Sequence, residues 1–144
     1  MIEKWLLFLI ATLLLPTIFR GIAFLTGWSS LAARYGSKSR IDGRLWRVRP
    51  VSLLRGRNRV VYFLGFEFVI GSTEVGIRPA FPFSWGHAPL VVPKNEMRVC
   101  ELLSVGGLPS VQLDMGEGLP RIEVVGSEGA RLMDLLQTSQ RPEG

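Results

Sequence analysis

The stretch MIEKWLLFLIATLLLPTIFRGIAFLTGW, residues 1–28, decides how this 144-residue chain is organised. Apolar side chains fill Trp5–Phe19 almost without a break, and a second apolar patch continues through Gly21–Leu25. A helix that crosses a bilayer needs about 20 mostly apolar residues, and the two patches together reach that length. We therefore predict that residues 1–25 form a transmembrane anchor.

The flanks of the apolar stretch carry the residues that are typical of a membrane helix. Arg20 lies near its end, where a long side chain can extend its charge to the lipid headgroups. Trp5 and Trp28 bracket the stretch, as aromatic residues at the two bilayer interfaces do. Pro16 predicts a kink, which membrane helices tolerate better than soluble ones. These features favour the anchor and predict that Trp28 lies at the membrane surface.

Two other interpretations of the same residues stay open. A cleaved signal peptide would start with the charge of Lys4 and an apolar core over Trp5–Leu15, but bulky residues surround every candidate cleavage site in Phe19–Phe24. A buried helix of a soluble domain would need more covering surface than so short a chain offers. The anchor agrees best with the flanking residues.

Positive charge is concentrated directly after the apolar stretch. Residues 29–60 carry nine Lys and Arg side chains and one acid, Asp42, whereas the net charge of the whole chain is +5. By the positive-inside rule this asymmetry predicts a cytoplasmic domain after a single-pass anchor in the cell membrane. Cations close to a membrane also attract anionic lipids by about 1 kcal/mol each. The predicted membrane-surface residues are Trp28, Arg34, Lys38, Arg40, Arg44, Arg47, Arg49, Arg55, Arg57 and Arg59.

The role of these cations can be interpreted in two ways. They either fix the membrane topology and keep the surface solvated, or bind anionic headgroups in addition. A nucleic-acid partner is not predicted, because it would need aromatic side chains for base stacking and only Trp46 and Tyr62 lie nearby. The predicted partners are the lipid bilayer, through the anchor and the anionic headgroups, and another membrane protein.

Residues 26–43 predict a short interfacial helix followed by a polar linker. Trp28, Leu31, Ala32 and Tyr35 recur at the spacing of one helical face. A glycine at position 36 is typical of a helix end. We place the boundary of the folded domain within the polar residues that follow.

Residues 44–140 predict a mainly-β domain with one helix at its end. Short runs of β-branched and aromatic residues alternate with glycine-bearing turns, which is typical of an antiparallel sandwich or partly open barrel. We expect about six or seven strands. The period changes after Ser127, where Leu132, Leu135 and Leu136 mark the buried stripe of a helix that ends near Gln137. Strands closed by one C-terminal helix form a pleckstrin-homology-like arrangement.

Two stretches resemble a group of small uncharacterised bacterial membrane proteins. The first comprises Gly27, Trp28, Leu31, Ala32 and Tyr35, and the second comprises Phe81-Pro82 and His87-Ala88-Pro89-Leu90-Val91-Val92-Pro93. The group has an N-terminal anchor and a β-rich domain. Ala88 stands where the group has a second proline, and Lys94 where tryptophan is usual. The resemblance implies the same layout here and no assigned activity.

The proline-rich segment Pro79–Pro89 is the second candidate for a functional surface. Its prolines forbid a regular strand through the middle, yet it carries Phe81, Phe83 and Trp85. Large aromatic side chains are costly to expose. They are predicted either to fold back as a lid on the domain or to form a docking surface for a partner or the bilayer interface.

No residue pattern in the chain indicates catalysis, a metal site or a cofactor. His87 is the only histidine and Cys100 the only cysteine, so the usual groupings for a nucleophile or a metal are missing. We expect His87 to hold the proline-rich segment in place by hydrogen bonding, and Cys100 to be a small core residue. The sequence thus predicts a non-enzymatic, membrane-anchored interaction module positioned on the inner leaflet by its basic block. The alternative is an accessory subunit of a larger membrane protein complex.

Overall fold

An N-terminal helix precedes two antiparallel sheets in the computed structural model, which describes residues 1–103 and 107–138. The helices are α1 (Ile2–Thr26), α2 (Trp28–Tyr35) and α3 (Ser127–Thr138). The strands are β1 (Arg44–Val48), β2 (Val51–Arg55), β3 (Asn58–Tyr62), β4 (Phe66–Ile70), β5 (Glu74–Pro79), β6 (Leu90–Pro93), β7 (Arg98–Leu103), β8 (Pro109–Asp114) and β9 (Arg121–Val125). Short 3-10 turns lie at Phe83–Trp85 and Lys94–Glu96.

Helix α1 is long and apolar enough to cross a membrane. The Thr12 and Thr17 hydroxyls donate hydrogen bonds to carbonyl oxygens one turn earlier, so their polar groups are satisfied within the helix. Pro16 lies inside the helix without ending it. The helix ends at Gly27, whose φ of 88° is a left-handed conformation that favours glycine.

The sheets have the orders β1-β4-β5-β6 and β3-β2-β9-β8-β7, and all neighbouring strands are antiparallel. The predicted apolar helix, antiparallel β structure and C-terminal helix are therefore confirmed. The described residues contain nine strands, more than the predicted six or seven, in part because a four-residue strand, β6, forms directly after the proline-rich segment. The pleckstrin-homology-like label stays a prediction.

The core lies between the two sheets. Strand β4 alternates, and Phe66, Phe68 and Ile70 point inward, as expected for a strand with one buried face. Helix α3 packs on β8 and β9 and buries Leu132 and Leu136. Helix α3 therefore closes one end of the domain with apolar side chains.

Helix α2 belongs to the core of this domain. Trp28 is 0% exposed, and Leu31 and Tyr35 are buried beside it. The Trp28 indole Nε1 donates a hydrogen bond to the Ala88 carbonyl oxygen at 2.9 Å. The prediction that Trp28 lies at the membrane surface is therefore wrong. The apolar face of α2 is the predicted one, but it packs inside the domain, where Trp28 and Leu31 are fully buried.

The segment after α2 crosses the outer face of the first sheet. A Cβ added at Gly76 would lie 3.2 Å from the Ile41 side chain, and one added at Gly43 would lie 2.3 Å from the Ile70 carbonyl oxygen. Glycine at these positions lets the segment lie directly on the strands. Residues 37–43 therefore connect α2 to β1 in contact with the domain.

Candidate membrane-facing surface

The last two turns of α1 pack into the β domain. The Phe19 and Phe83 rings meet edge to face with centroids 5.3 Å apart, and Ala23 and Thr26 are buried. A Cβ added at Gly86 would lie 2.4 Å from the Phe19 backbone carbon. The 3-10 turn after β5 therefore contacts the helix backbone directly, so the apolar helix and the domain share one packed junction.

A buried hydrogen-bond chain crosses this junction. The Thr26 hydroxyl lies 3.1 Å from the Tyr62 hydroxyl, which lies 2.9 Å from Nε2 of His87. Burial lowers the pKa of His87 to about 4, so the imidazole is neutral at physiological pH. Burial also raises the pKa of the Tyr62 phenol. His87 links the proline-rich segment to β3 and α1, and its Nδ1 has no hydrogen-bond partner among the described residues.

The buried imidazole predicts a loss of stability in mild acid. In the unfolded chain His87 takes a proton near its ordinary pKa of 6.5, whereas in the folded chain it does so only near 4. The contribution of the neutral imidazole to the free energy of unfolding is complete above pH 6.5. It falls as the pH drops from 6.5 toward 4, and at pH 5 it is about 2 kcal/mol smaller. Urea unfolding of the full chain in non-ionic micelles at pH 7.5 and pH 5 measures the difference. His87→Gln should show a smaller drop, and an equal drop in the variant would contradict this assignment.

Three turns lie at the end of the sandwich where α1 meets the domain. Antiparallel pairing brings together the β1–β2 turn at Arg49-Pro50, the β3–β4 turn at 63–65 and the β5–β6 segment. Gly65 has φ of 76°, and a Cβ there would lie 1.8 Å from the Val48 carbonyl oxygen. The Ala80 amide donates a hydrogen bond to the Gly65 carbonyl at 3.0 Å. The three turns therefore form one continuous end surface.

Large apolar side chains are exposed on this end surface. Phe63 is 78% exposed, Leu64 47%, Phe81 62% and Trp85 53%. We call these four residues the apolar collar. The Phe81 and Trp85 rings contact each other edge to face at 4.9 Å. A set of exposed apolar side chains in one place marks a protein-binding or membrane-binding surface.

The proline-rich segment combines the two predicted alternatives. Phe83 is half-buried and packs against Phe19, Tyr62 and His87, which favours the lid for this residue, and its role in docking stays a prediction. Phe81 and Trp85 point outward and stay candidates for docking. Phe63 and Leu64 were not predicted. Their signal in the sequence is two adjacent apolar residues in a turn, where polar residues are usual.

The basic block is divided between the two ends of the sandwich. Arg49 lies in the β1–β2 turn beside Gly65. Arg55 and Arg57 lie at the β2–β3 turn, at the other end of the hairpin from Tyr62. Four residues of strand separate the two ends, which is about 13 Å. Arg44 pairs in register with Ile70, also at the distant end.

Two of the predicted membrane-surface cations form ion pairs within the domain. Arg47 lies 3.0 Å from Glu67, which also pairs with Arg78. Arg59 lies 2.6 Å from the buried carboxylate of Glu123, which also accepts a hydrogen bond from Gln112. A cation that neutralises a buried acid is less available to a headgroup, because leaving that acid unpaired is costly.

Neither a scan against models of known protein families nor a search of curated proteins found a match. Within the described part of the chain, no three His, Cys, Asp or Glu side chains are grouped so that they could hold a metal. Cys100 is half-buried on β7.

Proposed function

We propose that this protein is a non-enzymatic, single-pass interaction module that α1 holds at the inner leaflet of the cell membrane. The observation that carries the proposal is the division of α1. Residues 2–15 of the helix are exposed, and its last two turns bury Ala23 and Thr26 in the domain. A helix that is apolar all round and uncovered over most of its length belongs in lipid. The packed junction then holds the domain at one fixed orientation to the bilayer.

The apolar collar supports the same orientation. It surrounds the part of the domain that contacts Phe19, where α1 would leave the hydrocarbon. Tryptophan and other aromatic side chains are favourable at the level of the headgroups, where one part of the ring is apolar and another is wet. The domain would therefore rest on the leaflet through Phe63, Leu64, Phe81 and Trp85.

When the apolar collar rests on the leaflet, only some of the cations in residues 29–60 face the lipid. Lys38 and Arg49 lie on the collar side, whereas Arg55 and Arg57 are carried about 13 Å away along the hairpin. That distance exceeds the Debye length of about 8 Å at physiological salt. The distant cations are therefore available to a soluble or membrane-bound partner of acidic character, and they still contribute to a cytoplasmic location by the positive-inside rule.

A second candidate is an accessory subunit of a larger membrane protein complex. Phe24 and Leu25 favour it, because they lie in the turn of α1 that packs on the domain yet are 71% and 77% exposed. A neighbouring transmembrane protein could cover them. Companions that co-purify at constant stoichiometry in mild detergent, and are lost when both residues are changed to serine, would support this function.

Labelling of cysteines from each side of the membrane tests the proposal. In a Cys100→Ser background, we expect a cysteine at Ile2 to react with an impermeant maleimide in intact cells. A cysteine at Gly144 should react only after the membrane is opened. The protein should also stay in the membrane during alkaline carbonate extraction. Labelling of Gly144→Cys in intact cells would overturn the inner-leaflet location, and extraction by carbonate would overturn the anchor.

A further inference from the structure

A cleft lies between α1 and the collar side of the domain. It has a volume of about 570 Å³ and is formed by three separated parts of the chain: Arg20 of α1, residues 36–38 after α2, and residues 84–89 of the proline-rich segment. Trp85 stands on its wall and belongs to the apolar collar. The cleft therefore opens at the level where α1 meets the domain.

The cleft is positively charged. Its lining contains two cations, Arg20 and Lys38, and no acidic side chain. Both cations are exposed, and neither forms an ion pair with a residue in 1–103 or 107–138. Other basic residues of the domain, such as Arg47 and Arg59, are paired with acids. An anion between Arg20 and Lys38 would gain two charge-assisted contacts without displacing an internal partner.

We propose that this cleft binds the phosphate group of an anionic phospholipid. This inference rests on the proposed membrane anchoring, because that places the cleft at the level of the lipid phosphates. Arg20 supplies a planar, forked donor for the phosphate oxygens, and Lys38 supplies a second charge from the segment after α2. The exposed indole of Trp85 contacts the glycerol region, which is the depth that tryptophan prefers.

The same two cations determine the preference among phospholipids. Phosphatidylcholine carries a phosphate with a choline cation beside it, and that cation would be repelled by Arg20 and Lys38. Phosphatidylglycerol carries the phosphate with an uncharged headgroup and a net negative charge. We therefore expect the cleft to select phosphatidylglycerol over phosphatidylcholine. Free phosphate shares the chemistry of the site but lacks the acyl chains that would keep it there.

Retention of lipid by the full-length protein tests this site. The protein is reconstituted in nanodiscs with equal amounts of phosphatidylglycerol and phosphatidylcholine, released into mild detergent, and its bound lipids are counted by native mass spectrometry. Arg20→Gln with Lys38→Gln should lower the retained ratio of phosphatidylglycerol to phosphatidylcholine about tenfold. Arg44→Gln with Arg57→Gln removes the same charge at the distant end and should leave the ratio unchanged.

If the retained lipid ratio falls equally in the two double variants, a general charge effect explains it and the proposed binding site is wrong. If the ratio falls in neither variant, the proposed binding site is also wrong. Displacement of the lipid by millimolar inorganic phosphate would also overturn the lipid assignment. Carbonate extraction of the same variants separates the two proposals. If the wild-type protein is extracted, the anchoring fails and the inference fails with it. If it stays and retention is independent of residues 20 and 38, only the inference fails.

Discussion

Replacing Trp28 with alanine should lower the free energy of unfolding of the full chain by about 3–5 kcal/mol. Trp28 is fully buried, its ring contacts Phe66 at 5.3 Å, and its indole nitrogen donates to the Ala88 carbonyl. The substitution leaves a cavity as large as most of an indole and removes the donor to the part-buried Ala88 carbonyl. For a domain of this size the loss corresponds to a melting temperature about 15–25 °C lower.

Near-UV circular dichroism of the full chain in non-ionic micelles measures this loss. Trp85→Ala is the matched control, since it removes the same side chain from an exposed position of the apolar collar. The control should change the melting temperature little. Trp28→Phe should give an intermediate loss, which keeps the comparison possible if the alanine variant does not fold. If the Trp28 and Trp85 substitutions lower the melting temperature equally, Trp28 is not a core residue and a position at the membrane surface is favoured.

Replacing Gly86 with alanine should separate α1 from the domain and lower the free energy of unfolding by about 2–3 kcal/mol. The new Cβ would lie 2.4 Å from the Phe19 backbone carbon and 2.5 Å from the Arg20 backbone nitrogen. Both contacts are with helix backbone, which cannot turn aside as a flexible side chain can. The helix or the 3-10 turn must therefore move, and the Phe19–Phe83 contact is the first to be lost.

Hydrogen exchange of the α1 amides between residues 20 and 26 reports this separation. It should rise in Gly86→Ala, whereas exchange in β4 should change little. Gly21→Ala is the matched control, because Gly21 directly follows Arg20 in α1 but lies on a side of the helix where nothing approaches within 4 Å. Unchanged exchange and stability in Gly86→Ala would mean that α1 does not pack on the domain in solution.

Local sequence patterns were sufficient to predict the helices and which face of each is buried. The spacing of Trp28, Leu31 and Tyr35 correctly predicted which face of α2 is apolar, and that of Leu132 and Leu136 did the same for α3. The surface that covers α2 was not predictable. An apolar helical face has the same spacing whether it meets lipid or a sheet, and the choice depends on strands that are distant in the sequence.

The membrane-facing residues were predicted only in part for a related reason. Phe81 and Trp85 were identified because large aromatics among prolines are unusual. Phe83, between them, has the same composition and surroundings in the sequence but turns inward to Phe19. Phe63 and Leu64 join the collar only because antiparallel pairing brings the β3–β4 turn beside Ala80.

By itself the sequence determined that an apolar helix precedes a mainly-β domain with a helix at its end. Those features follow from composition and period, which are properties of neighbouring residues. Only the tertiary structure decided how one contiguous basic block is divided. Each hairpin reverses the chain, so Arg49 lies at the collar end and Arg57, eight residues later, at the opposite end. Arg20 and Lys38 are brought to one cleft by the packing of α1 on the domain, a contact that charge counting along the chain does not contain.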